Sequence, residues 1–437
     1  MFTTKMALRL SAAATALAVA LPAAAAPVQI DWWYSNGGKI EEAIQGLISD
    51  FNASQSDYQI VGTRKGNYEE TLAATIASYR VGQNPVILQA AERGFMTMLN
   101  ANVAVPMHQL MEDNGHKLDW EDFIAPVASF FKVDGKVYAM PFNSSTPVIY
   151  YNQDLFAKAG LDAPADTYQG LDKQLHQLKE AGVGCGMVLA NDYYWSMLEN
   201  FSTIGDYPWA TKANGFDGYD TEYVYNTTPV VDQVTRIKGW IDDGILKFAG
   251  QGMLPEQLFT NGECATYIAS TGAHGTMDAI TGFKWSADFL PGDEGREMRN
   301  SSIGGGSLWV MANKTPEQIK GAADFIAYIG TPEKQAWWSE QTGYVPITNA
   351  AYEKMKADGF FEKHPTREIA IQQLTRGTPT DNSQGFRFGN GNESVAYLLE
   401  EMQAVWIGKK TPQEGLDAAV TRGNQVLRGY EDLYGAK

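Results

Sequence analysis

The feature that most constrains this 437-residue chain is an alternation of strand and helix signals near its amino end. Val28 to Tyr34 reads as a strand closed by the turn Asn36-Gly37-Gly38, and Ile40, Ala43, Ile44, Leu47, Ile48 and Phe51 then recur at helical spacing. Tyr58 to Thr63 is a second strand, Tyr68 to Tyr79 an amphipathic helix, and Val86 to Gln89 a short strand bounded by Pro85. This β-α-β-α-β order predicts a parallel sheet with helices on its faces. Parallel sheets gather ligand groups at the carboxyl ends of their strands, which here hold Trp33-Tyr34-Ser35, Arg64 to Tyr68 and Ala91-Glu92.

A second stretch of the same character begins near Val148-Ile149-Tyr150-Tyr151 and includes Gly186 to Ala190, a helix from Pro229 to Asp243 and the strand Ala265 to Ala269. The chain therefore carries two α/β units. A glycine run, Ile303-Gly304-Gly305-Gly306-Ser307, leads into the strand Leu308-Trp309-Val310-Met311. Three later helices open on Thr-Pro at Thr315, Thr331 and Thr411, with Thr at the N-cap and Pro in the first helical position.

Residues ahead of Val28 read as an export signal. Lys5 and Arg9 make a basic start, Leu10 to Leu21 is an apolar run broken only by Ser11, and small residues follow from Pro22 to Ala26. Cleavage after Ala25 is expected, because cutting after Ala26 would leave Pro27 first. The mature protein is expected to be soluble and exported. An exported chain with only Cys185 and Cys264 can bridge them or keep two buried thiols, and their spacing does not choose.

The net charge of −17 argues against nucleic acids and anionic membranes, since phosphate neutralisation needs clustered Lys and Arg. Five scattered histidines and two cysteines offer no zinc spacing, so neither metal nor cofactor is expected. No P-loop, H-E-x-x-H or G-x-S-x-G motif occurs. No catalytic residue is singled out. A phosphodiesterase or glycosidase would need a metal site or a positioned acid/base pair, and the spacing selects none.

Several segments are specific. They are Lys65-Gly66-Asn67-Tyr68-Glu69, Pro141-Phe142-Asn143-Ser144-Ser145-Thr146-Pro147, Leu198-Glu199-Asn200-Phe201-Ser202, Asn214-Gly215-Phe216-Asp217-Gly218, Thr342-Gly343-Tyr344-Val345-Pro346 and Trp406-Ile407-Gly408-Lys409-Lys410-Thr411. Through them, in order, the chain resembles the extracellular solute-binding proteins of ABC importers, and among these the receptors for sn-glycerol-3-phosphate. The resemblance implies a two-lobed α/β periplasmic-binding-protein (Venus-flytrap) fold with several interlobe crossings. Lobe one is expected at 26–143 plus 304–343 and lobe two at 144–303 plus 344–437. It also implies a monomer that closes on a small ligand and delivers it to a membrane permease driven by a cytoplasmic ATPase.

Residue by residue, the resemblance makes Tyr68, Glu92, Ser145, Ser270, Gly305 and Tyr344 ligand contacts. Read without it, the tyrosines would be packing residues, Glu92 a solvated loop carboxylate, the serines turn residues and Gly305 a strand glycine. Neutral donors and backbone N–H groups suit an anion, and acceptor-only Glu92 suits hydroxyls. Two positions depart from the pattern. Val395 stands where the family carries an arginine for the phosphate, and Asp192 where it carries a tryptophan. Arg387 and Lys65 are the candidate replacement cations. Asp192, beside Tyr193, Tyr194 and Trp195, suits a cationic head group, so glycerophosphodiesters such as glycerophosphocholine are expected ligands with glycerol-3-phosphate. The competing expectation is a neutral-oligosaccharide receptor, favoured by the many aromatic residues and the missing arginine.

Overall fold

In the computed structural model, residues 26–190, 192–249 and 254–435 are described. The expected signal, 1–25, lies outside them. The strands are β1 (Val28–Tyr34), β2 (Tyr58–Arg64), β3 (Ile87–Ala91), β4 (Ala104–Val105), β5 (Lys132–Val133), β6 (Lys136–Val137), β7 (Met140–Pro141), β8 (Pro147–Asn152), β9 (Met187–Leu189), β10 (Leu246–Phe248), β11 (Thr266–Ser270), β12 (Trp285–Asp288) and β13 (Gly306–Met311). They build two lobes, each around its own sheet. One sheet runs β2-β1-β3-β13-β4 with β7 also on β13, the other runs β10-β9-β11-β8-β12, and β5 and β6 form a separate hairpin.

β1 pairs parallel with both β2 and β3, as the alternation predicts. The sheet as a whole is mixed, because β13 arrives from the far end of the sequence and runs antiparallel to β3, β4 and β7. Between the parallel strands, Gly38–Ser54 and Tyr68–Tyr79 are helices. The first buries Ile44, Leu47, Ile48 and Phe51, the stripe its spacing predicts. The second is closed by a capping box in which Asn67 and Glu70 satisfy each other's backbone N–H. Thr315 and Thr411 form the same device, while Thr331 caps with its side chain alone.

Buried side chains sort into cores that follow the sheets. Residues 30–142 and 303–338 pack together in the first and residues 149–290 supply most of the second. The stretch after 343, expected with lobe two, divides. Val345, Ile347, Met355, Phe361 and Leu374 pack in the first core, and Leu398, Met402, Leu416 and Leu427 in the second. Apolar matter on both flanks of a crossing can be buried by either lobe, and hydropathy alone does not say which.

Three crossings meet at the junction. Ser145 and Gly304 exchange backbone hydrogen bonds of 2.9 Å in both directions, and Val345 N–H donates to Ser144 O at 2.9 Å. Gln373, fully buried, donates to Thr146 Oγ1 (3.2 Å) and Pro147 O (2.9 Å) and so ties a later segment to the same place. A junction of a few hydrogen-bonded segments is a hinge geometry.

Cys185 and Cys264 are bridged, 79 residues apart, which settles the alternative the spacing left open. The bridge staples the starts of neighbouring parallel strands β9 and β11, where Met187 faces Thr266. Reduction is expected to lower stability by about 4 kcal/mol, because the cross-link removes the entropy of a loop this long from the unfolded chain. Urea unfolding with and without reductant checks this through a lower midpoint in the reduced protein.

Candidate functional site

The carboxyl ends of β1 and β3 carry a buried amide and hydroxyl network. Gln89, on β3, accepts from Ser35 N–H (2.8 Å) and donates to Asn36 Oδ1 (2.6 Å) and Asn143 Oδ1 (2.9 Å). Asn143 in turn donates to the Tyr68 hydroxyl, and Asn36 donates to the Tyr344 hydroxyl at 3.2 Å. Burial pushes Tyr68 well above, and Tyr344 above, the usual tyrosine range, so both hydroxyls keep their protons. Each phenol accepts one bond here and retains its own O–H to give. Trp338 stacks on Tyr344 (5.9 Å, 10°) and on Phe142 (4.5 Å, 26°), which fixes the ring that faces the junction.

Glu92 follows β3 directly, in the turn Glu92–Gly94, and only 8% of it is exposed. One carboxylate oxygen accepts from Gly305 N–H (3.1 Å), and the Glu92 N–H donates back to Gly305 O (3.1 Å). The other oxygen accepts from Arg93 Nη2 (3.1 Å) and Nε (3.3 Å). Gly305 has φ +115°, and a Cβ there would stand 2.0 Å from Asn143 O. Only glycine can hold that conformation and that approach.

Ser145 lies on the crossing, 2% exposed, with its backbone on Gly304 and no bond from its Oγ among the described residues. Ser270 ends β11, and its Oγ accepts from Gly272 N–H at 3.1 Å. Gly272 in turn lies flat against the Tyr344 ring. Four sequence-predicted residues from lobe one and the crossings, Tyr68, Glu92, Ser145 and Gly305, thus converge with Ser270 and Tyr344 at one junction.

Across the junction, lobe two presents a π-helical turn, Tyr194–Glu199. Trp195 donates from Nε1 to Ile303 O at 3.3 Å and packs so tightly on Gly304 that a Cβ there would sit 2.4 Å from the indole. Trp195, Glu199, Trp209, Tyr223, Phe388 and Val395 line a cavity whose lobe-one wall includes Glu92, Arg93 and Phe130. Tyr225 stacks on Trp209 with centroids 4.2 Å apart. The cavity is mostly aromatic, with Glu92, Arg93 and Glu199 as its ionisable side chains.

Two buried acids near Arg93 are perturbed. Burial pushes Glu199 up to about 8, opposed by Arg93 and reinforced by Glu92. Burial likewise raises Asp192 to about 6, against its own backbone bond and Arg93, and its Oδ1 has no partner among the described residues. Burial pulls Arg93 down, but Glu92, Glu199 and Glu69 outweigh it, and the guanidinium stays firmly charged. Between the ordinary carboxylate values of 3.8 and 4.5 and these raised ones, the folded state holds protons that the unfolded chain has released, so both acids subtract stability as pH rises. Glu199→Gln is expected to gain on the wild type between pH 5 and 8, by up to about 1.4 kcal/mol per pH unit. Chemical unfolding of both proteins at each pH measures the difference.

Two candidate cations are engaged elsewhere. Arg387 donates from Nη2 to the carbonyls of Ser129 (3.3 Å), Phe130 (3.0 Å) and Lys132 (2.8 Å), closing the end of the helix Ala125–Phe131, and lies 4.2 Å over the Phe216 ring. Burial lowers it to about 10. Lys65 sits 4.0 Å over the Trp33 ring. The residues that sequence reasoning passed over are Asn36, Gln89, Arg93, Asn143 and Glu199. Asn143 and Glu199 stand inside segments already conspicuous in the sequence, and Arg93 follows a strand-end carboxylate.

Known proteins resemble this chain along nearly its whole length. The sn-glycerol-3-phosphate-binding periplasmic protein UgpB of Escherichia coli O1:K1 is 39% identical over 431 residues, 97% of this chain and 98% of that one. The protein of the same name from Pectobacterium atrosepticum is 38% identical over 97% of each chain. Among solved structures, UgpB from Mycobacterium tuberculosis in complex with glycerophosphocholine matches with a TM-score of 0.79 at 21% identity, over 93% of this chain and 100% of that one. A profile described as bacterial extracellular solute-binding protein matches residues 46–368. A two-lobed fold, a polar junction between the lobes and a full-length likeness to binding proteins converge on one statement: the chain belongs to the bacterial extracellular solute-binding protein family.

Proposed function

We propose that this protein is the periplasmic receptor of an ABC importer that captures glycerol-3-phosphate and glycerophosphodiesters between its lobes and hands them to a membrane permease. The observation that carries the reading is the 39% identity, across 97% of the chain, to a protein named for binding sn-glycerol-3-phosphate. The site chemistry supports it. Tyr68, Tyr344, Ser145 and Ser270 offer neutral donors, and Glu92 is an acceptor for glycerol hydroxyls. Trp195, with the aromatic wall behind it, suits the cationic end of a choline diester, and Asp192, three residues before it, adds a carboxylate on the same segment. Arg387 is left out of this set because its Nη2 is fixed on the carbonyls that end the helix Ala125–Phe131 and its guanidinium lies over the Phe216 ring. No bond is made or broken, and the export signal directs the chain to the periplasm as a monomer.

Closure follows from differential contact, since a ligand touching both lobes stabilises the closed state by what it gains there and not in the open one. Calorimetry on the purified protein tests the ligand class. One site for sn-glycerol-3-phosphate or glycerophosphocholine, with no heat from maltose, is the expected result. Saturable binding of maltose and of neither phosphate compound would establish an oligosaccharide receptor instead.

A further inference from the structure

We propose that Arg93 is the anion-binding residue of the cleft, exchanging its partner Glu92 for the phosphoryl oxygens of a bound glycerol phosphate and leaving Glu92 to the hydroxyls. This rests on the ligand class proposed above.

Among the residues that line the interlobe cavity, Arg93 is the one cation. The others are aromatic or aliphatic apart from Glu92, Glu199, Ser394 and Gly391, so among the described residues an anion drawn into the cavity has no other positive charge to meet. Val395, on the helix that forms the far wall, is aliphatic. Arg387 and Lys65 are held by three carbonyls and an indole ring, as described.

Arg93 is also held ready. Its Nε and Nη2 lie on a single oxygen of Glu92, and its Nη1 has no hydrogen-bond partner among the described residues. The planar fork that grips a carboxylate matches a phosphoryl group equally well. Exchanging one for the other replaces a charge-assisted pair with another and sets free the Glu92 oxygen that Arg93 covered. The residue belongs to lobe one, directly after β3, yet its guanidinium lies 4.9 Å over the ring of Tyr194 in lobe two. An anion bound there is thus held at the point where the lobes meet. Glu199 lines the same cavity, and burial raises it to about 8 against the pull of Arg93.

The experiment is calorimetry of wild type, Arg93→Gln and Arg93→Lys with sn-glycerol-3-phosphate and with glycerophosphocholine, whose phosphate carries one charge fewer. Arg93→Gln should weaken the monoester roughly 10- to 100-fold, the loss of a charge-assisted pair, and the diester several-fold less. Arg93→Lys, keeping the charge without the fork, should fall between. An arginine that merely held Glu92 in place would cost both ligands equally, and that result overturns the proposal, as does unchanged affinity for both. A wild type that binds neither ligand overturns the reading of the site itself. If Arg93→Gln does not fold, Arg93→Lys carries the test, with about a tenfold loss on the monoester and the same shift in ratio supporting it.

Discussion

Replacing Glu92 with alanine is expected to abolish capture of sn-glycerol-3-phosphate and to lower the stability of the free protein by about 2–3 kcal/mol. The side chain does two things at once. It receives Arg93 and the Gly305 N–H, and it is the acceptor proposed for the ligand's hydroxyls. Alanine removes the carboxylate that hydrogen-bonds the Arg93 guanidinium, leaving the more distant Glu199 and Glu69; breaking a fully buried pair in this way costs about 3–5 kcal/mol. Arg93 keeps 23% of its side chain exposed, so water recovers part of that and the lower figure applies. Glu92→Gln separates the two roles. Its one carbonyl oxygen can still accept from Gly305 N–H but not at the same time from Arg93, and the charge is gone, so it should recover only part of the stability lost with alanine. Thermal melting and calorimetry on the two variants read stability and binding independently.

The second large effect is expected at Gly305. Alanine there meets two obstacles, a φ of +115° that side chains rarely adopt and a Cβ 2.0 Å from the carbonyl oxygen of Asn143. The neighbour is backbone, on an adjacent crossing, and it has little room to give. Relief requires β7 and β13 to part, and with them go the Glu92–Gly305 bonds and the Asn143 bond to Tyr68. A loss of about 3 kcal/mol is expected, at the top of the range for a strained backbone position, together with loss of measurable ligand binding. Gly184→Ala is the comparison, because nothing lies within 4 Å of the Cβ it would add and its backbone is unstrained. Denaturant unfolding should separate the two clearly, with Gly184→Ala within about 0.5 kcal/mol of wild type.

Much of the frame was legible because local signals and tertiary packing agree along it. The helix Tyr68–Tyr79 carries its own capping box, and the stripe from Ile44 to Phe51 needs only a sheet to lie on. The site was legible where a strand end dictates it, as at Glu92 and Tyr68. Elsewhere the information is not local. β13 runs antiparallel to β3 because it enters from the opposite lobe, and nothing in its own residues records that direction. Val345 and Met355 read as generic core, and the partner core is set by where the crossing ends. Arg387 illustrates the limit for charged side chains. Its sequence neighbourhood is the right one for a ligand cation, but the carbonyls of Phe130 and Lys132, more than 250 residues away, claim the guanidinium. Arg93 was passed over because it sits beside an acid, where an ion pair is the default expectation. The cavity gives the pair its meaning.

The central claim is that a glycerol phosphate draws the two lobes together around this junction. Small-angle X-ray scattering of the purified protein, alone and with saturating sn-glycerol-3-phosphate or maltose, tests it most directly. A radius of gyration that falls with the glycerol phosphate and stays constant with maltose is the predicted result. Contraction with maltose alone, or no change with the glycerol phosphate, would contradict it.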